Sequence, residues 1–306
     1  MIRFDVQQAA RFVGATLHVP EGMSGDVGFT GLTRDSRQVA AGNLYAALIG
    51  ERVDGHEFLA DAAAAGAAAA LVTRPVDAPL VQLIVADVVR AMGTLARRWR
   101  ASLPVRVVAV TGSNGKTTVK TMIAAILGRV APTLATHGNY NNEIGVPLTL
   151  AELSDRHRFA VVEMGCGQPG DIAYLAGLAE PEVGVVTNAG PAHLERLGSV
   201  EGVARTKGEL FAALDSAGCA VINRDDAYYE YWRDLCPEAR RISFGVHADA
   251  DVRLESGAGG WRVATPAGRF ELDLALPGAH NRLNALAATA AATALGVGPE
   301  VAAAGL

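Results

Sequence analysis

The stretch "VRVVAVTGSNGKTTVKTM", residues 105–122, sets an apolar run ahead of two glycines, a lysine and two threonines. Gly112 and Gly115 let the backbone turn sharply and bring its N–H groups close to anionic oxygens. A helix starting at Lys116 adds the positive end of its dipole at the same point. That arrangement suits the phosphates of a nucleotide. Lys116 would neutralise the outer phosphates, and the Thr117 hydroxyl would reach Mg²⁺. Ser113, Asn114 and Thr118 complete the loop. One position departs from the common phosphate loop, which carries glycine where this chain has Val110. An isolated Gly-x-x-Gly would be an ordinary strand-to-helix turn. The apolar run before it and Lys-Thr-Thr after it favour a nucleotide.

Other candidates follow apolar runs in the same way. Glu163 lies at the end of "FAVVEM", where a carboxylate can hold Mg²⁺ or simply face solvent. His193 lies in "VGVVTNAGPAHLERLGS", beyond another such run, and is either structural or a ligand. Lys207, in "ARTKGELF", falls on an expected helix and could equally be a solvated lysine. The amides Asn139, Asn141 and Asn142 in "THGNYNNEIGVP" either satisfy turn geometry or bind a polar ligand. In "TRDSRQV", Asp35 or Ser36 can cap a turn, while Arg37 can grip a phosphate or carboxylate.

The elements that must position these residues are of two kinds. Residues 1–85 read as a small N-terminal α/β domain. "NLYAAL", "AAALVT" and "VQLIV" are its strands, "HEFLADAAAAG" is helical, and "RPVDAP" is a break. The helix "DVVRAMGTLARRWRA" follows and stops before Pro104. Residues 86–306 form the expected central domain. Apolar strands ("VRVVAV", "FAVVEM", "VGVVTN", "CAVIN") alternate there with helices, the pattern of a mostly parallel sheet covered on both faces. Ligands of such sheets sit at the carboxyl ends of the strands. After "RRISFG", the segments "ADVRLES", "GGWRVATP" and "GRFELDLAL" suggest a few antiparallel strands. "PGAHNRLNALAATAAATALG" turns into an Ala-rich helix, and another starts near Pro299.

The bulk composition narrows the function classes. The chain has 306 residues, half of them apolar, and a net charge of −5. No run of Lys and Arg forms a basic patch, so nucleic acid is disfavoured. The amino terminus has charges at Arg3, Asp5 and Arg11 and no apolar signal core. "LADAAAAGAAAALV" falls short of the ~20 residues of a membrane helix. Cys166, Cys219 and Cys236 are widely spaced and read as free thiols of a reducing compartment. A cytoplasmic monomer without membrane insertion is expected.

The ordered segments "TGSNGKTT", "GNYNNEIGVPLTL", "EMGCGQPGDI", "NAGPAHLERLGS", "ARTKGELF" and "LPGAHNRLNALAA" resemble the Mur ligases of peptidoglycan synthesis. "DSR" and "GNLYAALIGERVDGHEF" in the first domain are similar to the same family. The resemblance implies an ATP-dependent ligase that phosphorylates a carboxylate and lets an amine attack the acyl phosphate. The "GNYNNEIGVP" segment implies UDP-N-acetylmuramoyl-tripeptide as the carboxylate and D-alanyl-D-alanine as the amine. It also implies roles. Lys116 would touch the outer phosphates, Thr117 and Glu163 would hold one Mg²⁺, and His193 and Lys207 would serve a second. Lys207 would be carbamylated, which needs a neutral amine and so a lowered pKa. Asn281, with His280 beside it, would face adenine. Ser36, Arg37, Asn139 and Asn142 would face the UDP-muramyl substrate.

The resemblance also implies a third, Rossmann-like domain that carries the amine site. The 306 residues stop where it should begin, so a chain that binds but ligates poorly or not at all is expected. Two rivals stand beside this reading. One is a different ligase of the superfamily, a folylpolyglutamate synthase for example, with the same ATP loop and another acceptor. The other is a nucleotide-binding module without chemistry. A GTPase-type switch is weaker, because no Asn-Lys-x-Asp motif is present.

Overall fold

The structure is a computed structural model and describes residues 1–236, 238–257 and 260–306. By contacts the chain divides into two units, residues 1–103 with 143–154, and residues 104–142 with 155–306.

The first unit is built on a five-stranded sheet. Its order is Thr16–His18, Val81–Ile84, Ala69–Val72, Leu44–Ala46 and Leu32–Thr33. The Thr16–His18 strand pairs antiparallel and the others pair parallel. Ala69–Val72 is buried along its whole length, as a strand covered on both faces must be. A separate ribbon pairs Arg3–Asp5 with Gly28–Thr30. The expected boundary after residue 85 moves to residue 103. The cause is the helix Val88–Ala101, opened by an Asp87 cap on the Arg90 N–H. Its Trp99 indole donates to the Leu153 carbonyl at 2.9 Å, and the Ile2 N–H donates to the Ala151 carbonyl at 2.6 Å. These bonds draw the helix Gly145–Ala151 into the first unit although it follows the phosphate loop in sequence.

The second unit carries a nine-stranded sheet. Its order is Gly268–Leu272, Gly260–Thr265, Val252–Gly257, Arg240–Gly245, Cys219–Asn223, Val183–Val186, Arg106–Thr111, Phe159–Glu163 and Thr133–Ala135. Every pairing from Thr133–Ala135 to Val252–Gly257 is parallel, and the last two are antiparallel. The α/β class with a mostly parallel sheet is therefore as the sequence indicates. The antiparallel part begins one strand later than expected. Only residues 246–251 separate Arg240–Gly245 from Val252–Gly257, too few for a full crossover, so the two strands overlap at Phe244↔Val252 and Gly245↔Arg253 alone. The expected strand "GGWRVATP" starts at Gly259, outside the described residues, and runs on as Gly260–Thr265.

The core of this unit stacks Val108, Val110, Val161, Val185 and Val221 against Ile123 and Ile126 of the helix Lys116–Gly128. The helix Ala279–Ala294 adds Ala285, Ala288, Ala291 and Ala292. Small side chains let this helix lie close to the sheet. Among the described residues no helix is long and apolar enough to cross a membrane.

Candidate functional site

Four connections leave the carboxyl ends of adjacent parallel strands of the second unit: residues 112–115, 136–142, 164–170 and 187–193. The phosphate-loop residues, Asn139, Asn142, His193 and Lys207 sit on these connections or on the helices that follow them, and Glu163 ends one of the strands.

The loop after Arg106–Thr111 is held by its neighbour. The Thr187 hydroxyl donates to the Asn114 carbonyl at 2.6 Å, and the Asn188 side chain accepts the Asn114 N–H at 3.0 Å. The Ser113 hydroxyl donates to the Gly190 carbonyl and accepts the Gly190 N–H. Both loop glycines have positive φ, +149° at Gly112 and +81° at Gly115. A Cβ at Gly112 would collide with the Thr187 hydroxyl, and one at Gly115 with the Asn284 amide oxygen. Glycine is needed there for conformation and for space. Gly115 then opens the helix Lys116–Gly128, whose first turn carries no acidic residue and no side-chain cap. Its free N–H groups are left for an anion. The Lys116 ammonium folds back onto the Gly112 carbonyl at 2.8 Å, inside the loop.

Glu163 is the centre of a dense polar cluster and is 2% exposed. Its Oε2 accepts from the Thr117 hydroxyl at 3.0 Å, and its Oε1 from the Asn141 amide at 2.8 Å. Its own N–H donates to the Thr136 hydroxyl. The Lys120 ammonium stands 3.4 Å from Oε2, and both side chains of that pair are buried. Two hard oxygen donors, Thr117 Oγ1 and Glu163 Oε2, thus meet beside the phosphate loop. Among the described residues no three His, Cys, Asp or Glu gather as a metal cage. The oxygen pair fits Mg²⁺, which takes one or two protein oxygens and fills its shell with phosphate and water.

Lys207 lies on the helix Val200–Ala212 and is 2% exposed. Its ammonium is 3.7 Å from the Cys166 sulfur. Burial pushes the Lys207 pKa below its ordinary 10.5; the Lys116 charge adds to this and Cys166 opposes it. The sign for stability follows. Between the lowered value and 10.5 the unfolded chain holds a proton that the folded chain lacks, so this residue disfavours folding at neutral pH and ceases to do so as pH approaches 10.5. Lys207→Met should therefore raise Tm, by on the order of 1 kcal/mol of stability in CO₂-free buffer. The gain should shrink as pH climbs toward 10.5 in a Tm series; a gain that grows with pH would contradict the assignment.

Not every expected residue joins this cluster. His193 is exposed, has φ +54°, and precedes the short helix Leu194–Leu197. Its ring makes no hydrogen bond among the described residues. Asn139 and Asn142 are exposed, and it is Asn141 between them that reaches Glu163. Thr118 is half-buried one position beyond Thr117. Asn281 donates to the Pro277 carbonyl and accepts from Asn284, the residue against Gly115. In the first unit, Arg37 is gripped by Asp35 through two bonds of 2.8 and 2.9 Å. That hydrogen bonding holds the Asp35 carboxyl down to about 2. Ser36 opens the short 3₁₀ turn Ser36–Gln38 that Asp35 caps. The three cysteines are free, as expected.

Sequence reasoning missed Lys120, Asn284, Thr187 and Asn188. Only Lys120 carried a readable signal: it lies four residues after Lys116, on the same helix face.

The geometry defines a phosphate-loop protein with a carboxylate and a buried lysine beside the loop. Comparison with known proteins narrows the class. Residues 110–292 match the Mur ligase middle domain, and residues 28–100 match the model described as Mur ligase family, catalytic domain. The chain belongs to the Mur ligase family. It is 42% identical over 287 residues to UDP-N-acetylmuramoyl-tripeptide--D-alanyl-D-alanine ligase of Escherichia coli (strain K12), covering 92% of this chain and 64% of that protein. It is similar to a crystal structure of MurF from Acinetobacter baumannii, with a TM-score of 0.90, 36% identity, 99% of this chain and 68% of that one covered. It is similar as well to MurF ligase from Thermotoga maritima in complex with ADP, with a TM-score of 0.79, 29% identity, and 90% and 65% covered. The chain thus spans about two thirds of the length of the relatives it matches.

Proposed function

We propose that this chain functions in ATP-dependent amide-bond formation, joining D-alanyl-D-alanine to UDP-N-acetylmuramoyl-tripeptide in peptidoglycan precursor synthesis. A carboxylate is a poor electrophile. Transfer of the γ-phosphoryl group from ATP to the carboxylate gives an acyl phosphate and releases ADP; the amine attacks the carbonyl carbon and gives up a proton, and phosphate leaves with the C–O electron pair. The protein's part is positioning and charge neutralisation.

Lys116 already lies within the loop on two carbonyl oxygens, Gly112 and Ser113, which phosphate oxygens would replace as acceptors. Thr117 and Glu163 would hold Mg²⁺, which supplies charge neutralisation at the transferred phosphoryl group. Lys207 would carry a carbamate, because burial favours the neutral amine that adds to CO₂. That carbamate, with His193, would serve a second cation. Asn281 would lie toward adenine. Ser36, Arg37, Asn139 and Asn142 would contact the UDP-muramyl substrate. For Arg37 this means exchanging the Asp35 carboxylate for a ligand anion.

The observation that carries this reading is the meeting of Lys116, Thr117 and Glu163 at neighbouring strand ends, with Lys207 buried. Calorimetric titration tests it. The chain is expected to bind ADP with Mg²⁺, and to bind UDP-N-acetylmuramoyl-tripeptide more tightly than UDP-N-acetylmuramic acid. Equal affinity for the two muramyl compounds would reject the peptide assignment. A loss of ADP binding as well would reject the nucleotide site itself.

A further inference from the structure

Lys120 has no part in the roles set out above, yet it is among the most deeply buried charges of the second unit, 5% exposed. It lies on the helix Lys116–Gly128 one turn after Lys116. Lys116 turns back to the loop carbonyls, whereas the Lys120 ammonium points to Glu163 Oε2 at 3.4 Å and donates to the Gly138 carbonyl at 3.3 Å. A buried ion pair is weak evidence of a stability role, because desolvation offsets its attraction. Its position is informative instead. Oε2 is the oxygen that also meets Thr117, and Gly138 belongs to the connection that supplies Thr136 and Asn141 to the same glutamate. Lys120 therefore ties together the helix, the carboxylate and the connection that orients it.

We propose that Lys120 is a positioning residue for the cation site: it aims Glu163 Oε2 at the Thr117 hydroxyl and locks the Gly138 turn behind it. The inference rests on the reading that Thr117 and Glu163 hold Mg²⁺. Lys120 is separated from the phosphate loop's own contacts, so its removal should disturb the cation more than the nucleotide.

The test is ADP binding by calorimetry, with Mg²⁺ and with EDTA, for the 306-residue chain and three variants. Lys120→Met should weaken ADP binding in Mg²⁺ by about tenfold, the size of a lost bond to a charged group. In EDTA its affinity should stay within about twofold of wild type, the usual limit for independent sites. Glu163→Gln should lose the Mg²⁺ response, and adding Lys120→Met to it should change nothing further. That comparison stands even where Lys120→Met alone does not fold, since the double variant leaves no unpaired buried charge. Equal losses in Mg²⁺ and EDTA would overturn the proposal and leave Lys120 a structural lysine. So would a further loss in the double variant. Wild type that binds ADP equally with and without Mg²⁺ would overturn the cation site together with the proposal, whereas a wild-type response untouched by Lys120→Met overturns the proposal alone.

Discussion

Glu163→Ala is expected to destabilise the protein by about 3–5 kcal/mol, the range for removing one partner of a buried ion pair. The pair is unusually enclosed, with 6% of the Lys120 side chain and 3% of the Glu163 side chain accessible. Alanine removes the carboxylate and leaves the ammonium with the Gly138 carbonyl as its remaining bond. It also leaves the Asn141 amide and the Thr117 hydroxyl without their acceptor, although water can reach the exposed Thr117. Thermal unfolding should show a Tm drop on the order of 10 °C. Glu163→Gln should lose less, since the amide oxygen can still accept one of these bonds. Glu163→Ala combined with Lys120→Met should recover part of the loss, because no unpaired charge stays buried. If Glu163→Ala melts within a degree or two of wild type, the ion pair is not buried in solution as it is in the structure. The same substitution should abolish the Mg²⁺ dependence of ADP binding, so stability and function meet at one carboxylate.

Much of this site is legible in the amino-acid sequence, because its signals are local. The phosphate loop declares itself by glycine spacing and by the lysine that follows. Glu163 is marked by the apolar run it terminates, since a parallel strand buried on both faces leaves its first polar residue at the ligand end. The residues that escape such a reading depend on contacts distant in sequence. Nothing in "THGNYNNEIGVP" says which of three amides turns toward residue 163; the parallel pairing of Thr133–Ala135 with Phe159–Glu163 decides it in favour of Asn141. Lys120 shares a helix face with Lys116, but its burial shows only once Gly138 and Glu163 close over it. The transfer of Gly145–Ala151 to the first unit has the same origin, bonds from Ile2 and Trp99 that no local pattern announces. Short strands such as Arg3–Asp5 and Gly28–Thr30 have three residues each, too few for an alternation to show. Arg37 is legible as an anion ligand but not as one already engaged, although its acidic neighbour two positions earlier supplies the engagement.

Gly112→Ala should cost the chain about 100-fold in ADP affinity while leaving it folded, and two separate effects contribute. The first is conformational. At φ +149° an L-residue is confined to a region that only glycine populates readily, at a penalty of roughly 1–3 kcal/mol. The second is steric. The new methyl would overlap the Thr187 hydroxyl, and Thr187 Cβ stands 3.0 Å from the same position. That hydroxyl is the donor to the Asn114 carbonyl, so pushing it aside loosens the loop at its most exposed residue. The strain sits in a connection on the sheet's rim rather than in the valine core, which is why folding should survive. Thr187→Ala removes the hydroxyl and separates the two effects. In Gly112→Ala/Thr187→Ala the overlap is relieved while the backbone penalty stays, so affinity should return only part of the way, to about tenfold below wild type. Full recovery would mean that crowding alone makes glycine necessary. No recovery would mean that the positive φ accounts for the whole loss. Gly112→Ala binding ADP within about threefold of wild type would mean that the phosphates do not rest on this turn, since a strained loop cannot keep its N–H groups aimed at them.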